Sequence, residues 1–217
     1  MAGFFVKDIR LLLQRKKFFV MLLAISICLS FNSSGEFIIG YLTMVCSIFV
    51  LSTVSYDEYD NCYPFLMTLP ASRKDYVKEK YLFATVISLI SWMVGVTLYI
   101  IEKIVNETGF VMDEKMLAVL PYFPLAIILI SLMLPFQLKY GSERGRVIMI
   151  GVFGGIAAIV FLIIKLLESK GYKIDSLLEQ FITWKISSIL IAICGITVVI
   201  ALLSYSISVK IMQKKEF

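Results

Sequence analysis

The sequence predicts an all-α integral membrane protein. It should have six transmembrane helices, both termini on the cytoplasmic side, an interfacial helix before the first span and a short external helix before the last. Three observations carry this. The composition is 59% apolar with a mean hydropathy of +0.89, against about 45–50% apolar in soluble domains. Uncharged runs recur at 18–35, 37–56, 81–101, 116–138, 147–164 and 186–209, each near the ~20 residues that cross ~30 Å of hydrocarbon at ~1.5 Å per residue. Lysine and arginine segregate: with the N-terminus inside, 15 of the 21 fall on the inner side, leaving Lys103, Lys115, Lys165, Lys170, Lys173 and Lys185 outside. That is the positive-inside pattern. The runs leave no room for a soluble domain, so residues 1–217 read as one membrane domain. The bias also accounts for the net charge of +5, and no nucleic-acid partner is implied.

Residues 2–17 place Phe5, Ile9, Leu12 and Leu13 at helical spacing among Lys7, Asp8, Arg10 and Gln14, as in a helix lying in the headgroup layer. The basic start before an apolar run reads as a first span rather than a cleaved signal, because no A-x-A site follows Phe31. Asn32 and Gly35 break the chain into a tight turn before span two. The loop 102–115 is acidic, and its Asn106 sequon carries little weight. Span four holds Pro121, Pro124 and Pro135, read as bent ends. Span five holds Gly151, Gly154 and Gly155, and Gly151/Gly155 form a GxxxG face for packing within the chain or between two copies. Before span six, Ile174, Leu177, Leu178, Phe181 and Ile182 recur at helical spacing after Asp175 or Ser176 as a cap, with Trp184 suited to the headgroups. This predicts an amphipathic, interfacial or re-entrant external helix.

What the chain lacks narrows its chemistry. There is no histidine, which removes histidine metal sites, Ser-His-Asp hydrolysis and histidine proton relays. The four cysteines show no CxxC spacing and read as packing residues. No Asp, Glu, Lys or Arg interrupts the six runs, so a gradient-driven carrier or charge-selective channel is disfavoured. There is no GxxxxGK[ST] phosphate loop, so no ATPase is expected in this chain. Energy for transport would have to enter from another chain.

The longest polar interruption, Tyr56–Tyr81, has three parts. Asp57, Glu58 and Asp60 form an acidic stem where the local charge bias favours lysine. Tyr63-Pro64-Phe65-Leu66-Met67-Thr68-Leu69 is apolar but far too short to span. Pro70-Ala71-Ser72-Arg73-Lys74-Asp75 restarts a helix, with Ser72 as N-cap and Asp75 completing a capping-box variant. An apolar knuckle between charged stems is suited to docking a soluble partner.

These residues resemble the permease subunits of bacterial type-2 ATP-binding-cassette (ABC) transporters. Lys7-Asp8, the acidic cluster after span two and LPASRKDYVKEKY (Leu69, Pro70, Ser72, Arg73, Val77, Lys80, Tyr81) carry the resemblance, with Tyr59 or Tyr63 in the place of the family's aromatic. The resemblance implies a multi-pass protein of a bacterial plasma membrane that pairs with a second permease, identical or paralogous. It also implies two copies of a separate ATPase, which would hold the ATP and Mg, and a coupling helix near 56–72. The contact residues would be Asp57, Glu58, Tyr59, Asp60, Tyr63, Phe65, Leu66, Leu69, Pro70, Ser72 and Arg73. The small external loops resemble peptide-exporting or self-immunity systems most. Two other readings stand beside an exporter of amphipathic, antimicrobial or toxin peptides: a membrane accessory or immunity protein that binds a peptide without transporting it, and, least favoured, a gradient-driven carrier.

Overall fold

The computed structural model describes residues 2–30, 35–59, 62–68, 72–106, 119–169 and 186–215. Among them the chain is helical without strands: α1 Ala2–Gln14, α2 Lys16–Ser30, α3 Gly35–Tyr59, α4 Cys62–Thr68, α5 Arg73–Asn106, α6 Tyr122–Tyr140, α7 Ser142–Ser169 and α8 Ile186–Lys214. Four of these, α3, α5, α6 and α8, contain stretches long and apolar enough to cross a membrane among the described residues. The external helix expected at 174–182 lies outside the described residues.

The bundle is built on α3, which packs along α5 and against α6, while α8 packs on α6 and α5. Without a hydrophobic drive between helices in lipid, small residues and buried hydroxyls hold such contacts together. Gly95 of α5 provides the closest approach: a Cβ there would lie 3.1 Å from the Ile39 Cα of α3. Further along the same contact the Ser47 and Ser88 hydroxyls meet at 2.9 Å. Gln137 of α6 donates to the Leu51 carbonyl at 2.9 Å and to Ser55 Oγ at 2.7 Å. On the other side the Tyr81 hydroxyl lies 2.5 Å from Ser204 Oγ and 3.0 Å from Ser208 Oγ of α8.

The prolines act differently from one another. Pro121 occupies the N-cap position of α6, and Pro124 falls in its first turn, where missing N–H groups cost nothing. They start the helix rather than bend a span. Pro135 is inside α6 and deprives the Ser131 carbonyl of its usual donor. The Ser204 hydroxyl of α8 donates to that carbonyl instead.

One expectation is corrected. The helix before the first span ends at Gln14, and its buried stripe is Phe4, Asp8 and Leu12. Asp8 is fully buried, while Ile9 and Leu13, expected on the apolar face, are exposed together with Val6. The burial of Asp8 follows from its ionic partners, described below. A Cβ added at Gly151, Gly154 or Gly155 of α7 would meet nothing within 4 Å among the described residues; the close helix approach seen among them belongs to Gly95.

A Gly95→Leu variant should therefore lose about 1–3 kcal/mol of stability by overpacking, read as a lower thermal midpoint in detergent. Gly151→Leu, placed in open space, should leave the midpoint of the isolated chain unchanged.

Candidate functional site

The knuckle predicted between the charged stems is a short helix, α4. Pro64 falls in its first turn, where a proline is already shaped for a helix. Seven residues give two turns, and the side chains sort by face. Tyr63 and Leu66, three apart, are buried at 5% exposure each, whereas Phe65 is 67% exposed. The buried pair joins Phe4, Leu51, Val54, Tyr76, Val77, Leu134, Leu138 and Met212 in one cluster. That cluster draws on α1, α3, α5, α6 and α8, so α4 sits on the point where five helices converge. Both the start of α1 and the end of α8 lie at this end of the bundle.

Tyr63 packs edge-on against Tyr76, ring centroids 5.8 Å apart, and Tyr76 packs the same way against Phe4 at 5.9 Å. Burial pushes the Tyr63 phenol well above its ordinary pKa. Lys215 seats its ammonium 4.8 Å from the centre of the Tyr63 ring and donates to the Leu138 carbonyl at 3.2 Å. Half-burial holds that ammonium below the usual lysine value, opposed by the Glu58 carboxylate.

Behind the tyrosines lies a buried ionic quartet. Lys7 pairs with Asp57 and, at 3.3 Å, with Asp8. Lys80 pairs with Asp8 and, at 3.1 Å, with Asp57. The Lys80 side chain is 1% exposed and the two aspartates 0% and 4%. Lys80 also donates to Thr53 Oγ1 at 3.2 Å, and the Tyr76 hydroxyl donates to Asp57 Oδ2 at 2.9 Å. Two positive and two negative charges close a ring across α1, α3 and α5. The Glu79 carboxylate, 2% exposed and without a hydrogen-bond partner among the described residues, lies in the field of this group.

Two further charged residues terminate neighbouring helices. Glu58 Oε2 accepts the Ser142 backbone N–H at 2.5 Å, satisfying an orphan donor at the start of α7. The turn beneath it needs Gly141, whose φ is +83° and whose added Cβ would lie 2.2 Å from Glu58 Oε1. Arg73 donates to the Met212, Gln213 and Lys215 carbonyls at 3.1, 2.8 and 2.7 Å, capping the end of α8. The predicted cap of α5 is formed: Asp75 Oδ2 accepts from the Ser72 N–H at 3.1 Å and from its hydroxyl at 2.7 Å, and Ser72 Oγ accepts the Asp75 N–H at 3.1 Å.

The structure thus divides the residues expected to face a partner. Phe65 and Ser72 are exposed. Asp57, Tyr63 and Leu66 are buried, Glu58 and Arg73 are turned to helix ends within the chain, and the Asp57 carboxylate is engaged by Lys7, Lys80 and Tyr76. The Tyr59 side chain and Asp60, Leu69 and Pro70 lie outside the described residues. Sequence reasoning missed Asp8, Tyr76 and Lys80 as a unit with Asp57. The signal was present as two aspartates set against the local positive bias.

The model of the ABC-2 family transporter protein family matches residues 3–213, nearly the whole chain. The chain belongs to the ABC-2 transporter family. No curated protein and no solved structure matches it. ABC-2 membership makes the chain a permease subunit of an ABC transporter, with an ABC ATPase as its partner.

Removing one member of a buried ion pair strands its partner, at a cost of about 3–5 kcal/mol. Lys80→Met should lower the thermal midpoint in detergent correspondingly. The double variant Lys80→Met/Asp8→Leu, which removes one charge of each sign, should recover part of that loss.

Proposed function

We propose that the chain is one of two membrane-spanning halves of an ABC exporter, coupled through α4 to a separate ATPase and without ATPase activity of its own. The supporting observation is the presentation of Phe65. It is an aromatic side chain, two-thirds exposed, on a helix whose other face is locked into the five-helix cluster. An exposed aromatic on a rigid mount is the usual anchor of a protein interface. In this reading Phe65 enters a groove on the ATPase, the exposed Ser72 at the start of α5 adds to the contact, and ATP and Mg are held by that partner.

The same reading takes α2 and α7 as the remaining two of six spans, with both termini cytoplasmic and the chain in a bacterial plasma membrane. It takes the open Gly151 and Gly155 face of α7 as a contact for the second permease, identical or paralogous. The substrate inferred is an amphipathic, antimicrobial or toxin peptide. Support comes from small external loops and from spans that supply no fixed charge for an ion or a sugar acid.

The test is the ATPase activity of the reconstituted complex. Phe65→Ala should lower permease-stimulated hydrolysis roughly 30-fold, the loss of a hot-spot residue worth about 2 kcal/mol, without lowering the thermal midpoint of the isolated permease. Stimulation equal to wild type would sink the docking assignment. Peptide accumulation in inverted vesicles, dependent on ATP and insensitive to an uncoupler, tests the exporter reading separately.

A further inference from the structure

A groove with a volume of about 460 Å³ runs between α6 and α8 and has no part in the coupling surface. This is within the range of built ligand sites, about 300–1,000 Å³. Its walls are apolar, with Leu132 and Phe136 on one side and Leu203 and Ile207 on the other. Leu132, Leu203 and Ile207 are among the exposed large apolar residues, so the groove opens on the outside of the bundle. From Lys139 to Ser131 it follows nine residues of α6, whose eight rises make about 12 Å of helix. Half of the hydrocarbon core is about 15 Å. The groove therefore has roughly the depth of one leaflet.

Its charge is confined to one mouth. Lys139 lines that mouth. Leu203, Ile207, Lys210 and Lys214 follow one another at spacings of four, three and four, which keeps them on one stripe of α8. All three lysines are exposed, and no carboxylate lines the groove. They stand at the end of the bundle where the chain starts and finishes, at the depth where helix ends meet headgroups.

We propose that this groove holds an anionic glycerophospholipid of the adjacent leaflet, its acyl chain along Leu132, Leu203 and Ile207 and its phosphate among Lys139, Lys210 and Lys214. Basic pockets between spans at a membrane surface select such headgroups. A second copy of the chain fits the groove less well. A parallel two-fold contact there would bring each copy's lysine trio to the same depth as its mate's, setting like charges against one another.

The experiment is native mass spectrometry of the full chain, purified in mild detergent and supplied with equal amounts of dioleoylphosphatidylglycerol and dioleoylphosphatidylcholine. Wild type should retain the anionic lipid over the zwitterionic one by at least fivefold, since each surface lysine contributes about that factor. The triple variant Lys139→Gln/Lys210→Gln/Lys214→Gln should bring the ratio to about one, and the corresponding triple arginine variant should keep it. Ile207→Trp fills the groove without altering charge and should reduce the number of anionic lipids retained; Leu203→Trp serves the same end if the first variant does not run as a monodisperse species. Equal retention of the two lipids by wild type would overturn the proposal. So would a preference that survives loss of the three lysines, or a tryptophan variant that retains as much lipid as wild type. A tryptophan variant that instead converts a dimer to monomers with its lipid unchanged would assign the groove to a second copy.

Discussion

A buried lysine and two buried aspartates share one site with the part-buried Lys7 at the end of the bundle where α4 is mounted, and the packing around α4 is built on that site. An isolated ionised group in such a place costs several kcal/mol in lost hydration, so Lys80, Asp8 and Asp57, at 1%, 0% and 4% side-chain exposure, are not tolerable alone, while Lys7 at 28% keeps part of its hydration. Lys7 reaches Asp57 and Asp8, and Lys80 reaches the same two carboxylates from the other side. Each charge thus has two opposite neighbours. The partners come from residues 50 and 72 positions apart, so the ring forms only when α1, α3 and α5 have all arrived. Pairs of this kind contribute little net stability compared with apolar packing but penalise wrong arrangements heavily.

From that ring the position of α4 follows. Asp57 accepts the Tyr76 hydroxyl, which orients a ring that packs edge-on against both Phe4 and Tyr63. Tyr63 and Leu66 then hold α4 by one face, leaving Phe65 on the other. A load on Phe65 does not meet a loop. It meets a rigid aromatic stack backed by ions, and beyond it Leu134, Leu138 and Met212 of α6 and α8. Closely packed cores shift between discrete arrangements rather than deform continuously. A contact at α4 is therefore connected through one packed cluster to four long apolar helices, α3, α5, α6 and α8.

Much of this was legible in the residues, and the parts that were not have a common cause. Uncharged runs and lysine placement report on single segments against a bilayer, and they located the long helices. The Ser72–Asp75 cap is local, four residues long, and formed as read. Asp8 was misplaced because helical periodicity sorts residues by polarity, and polarity assigns a lone aspartate to the solvent. What buries it is Lys80, far away in sequence. Gly95 was likewise invisible: a single glycine in an apolar run carries no pattern, whereas Gly151 and Gly155 carry one and have no neighbour within 4 Å of an added Cβ among the described residues. Patterns that lie within one helix show where it is; pairings between helices become visible only when the helices are assembled.

Glu58 and Arg73 show the same limit and suggest why the charged stems are where they are. Both flank the knuckle, and both read naturally as contacts for a partner. Yet Glu58 sits at the N-terminal end of α7 and Arg73 at the C-terminal end of α8. A helix carries partial positive charge at its start and partial negative charge at its end, with backbone groups left unpaired at both. An acid at the first and a guanidinium at the second answer both needs. The two helices so terminated, α7 and α8, are connected through these side chains to the residues that flank α4. The charges around α4 thus tie it to every long helix: Asp57 and Lys80 to α3 and α5, Glu58 to the turn between α6 and α7, and Arg73 to α8. The charged stems that flank α4 are thus also fastenings of the bundle.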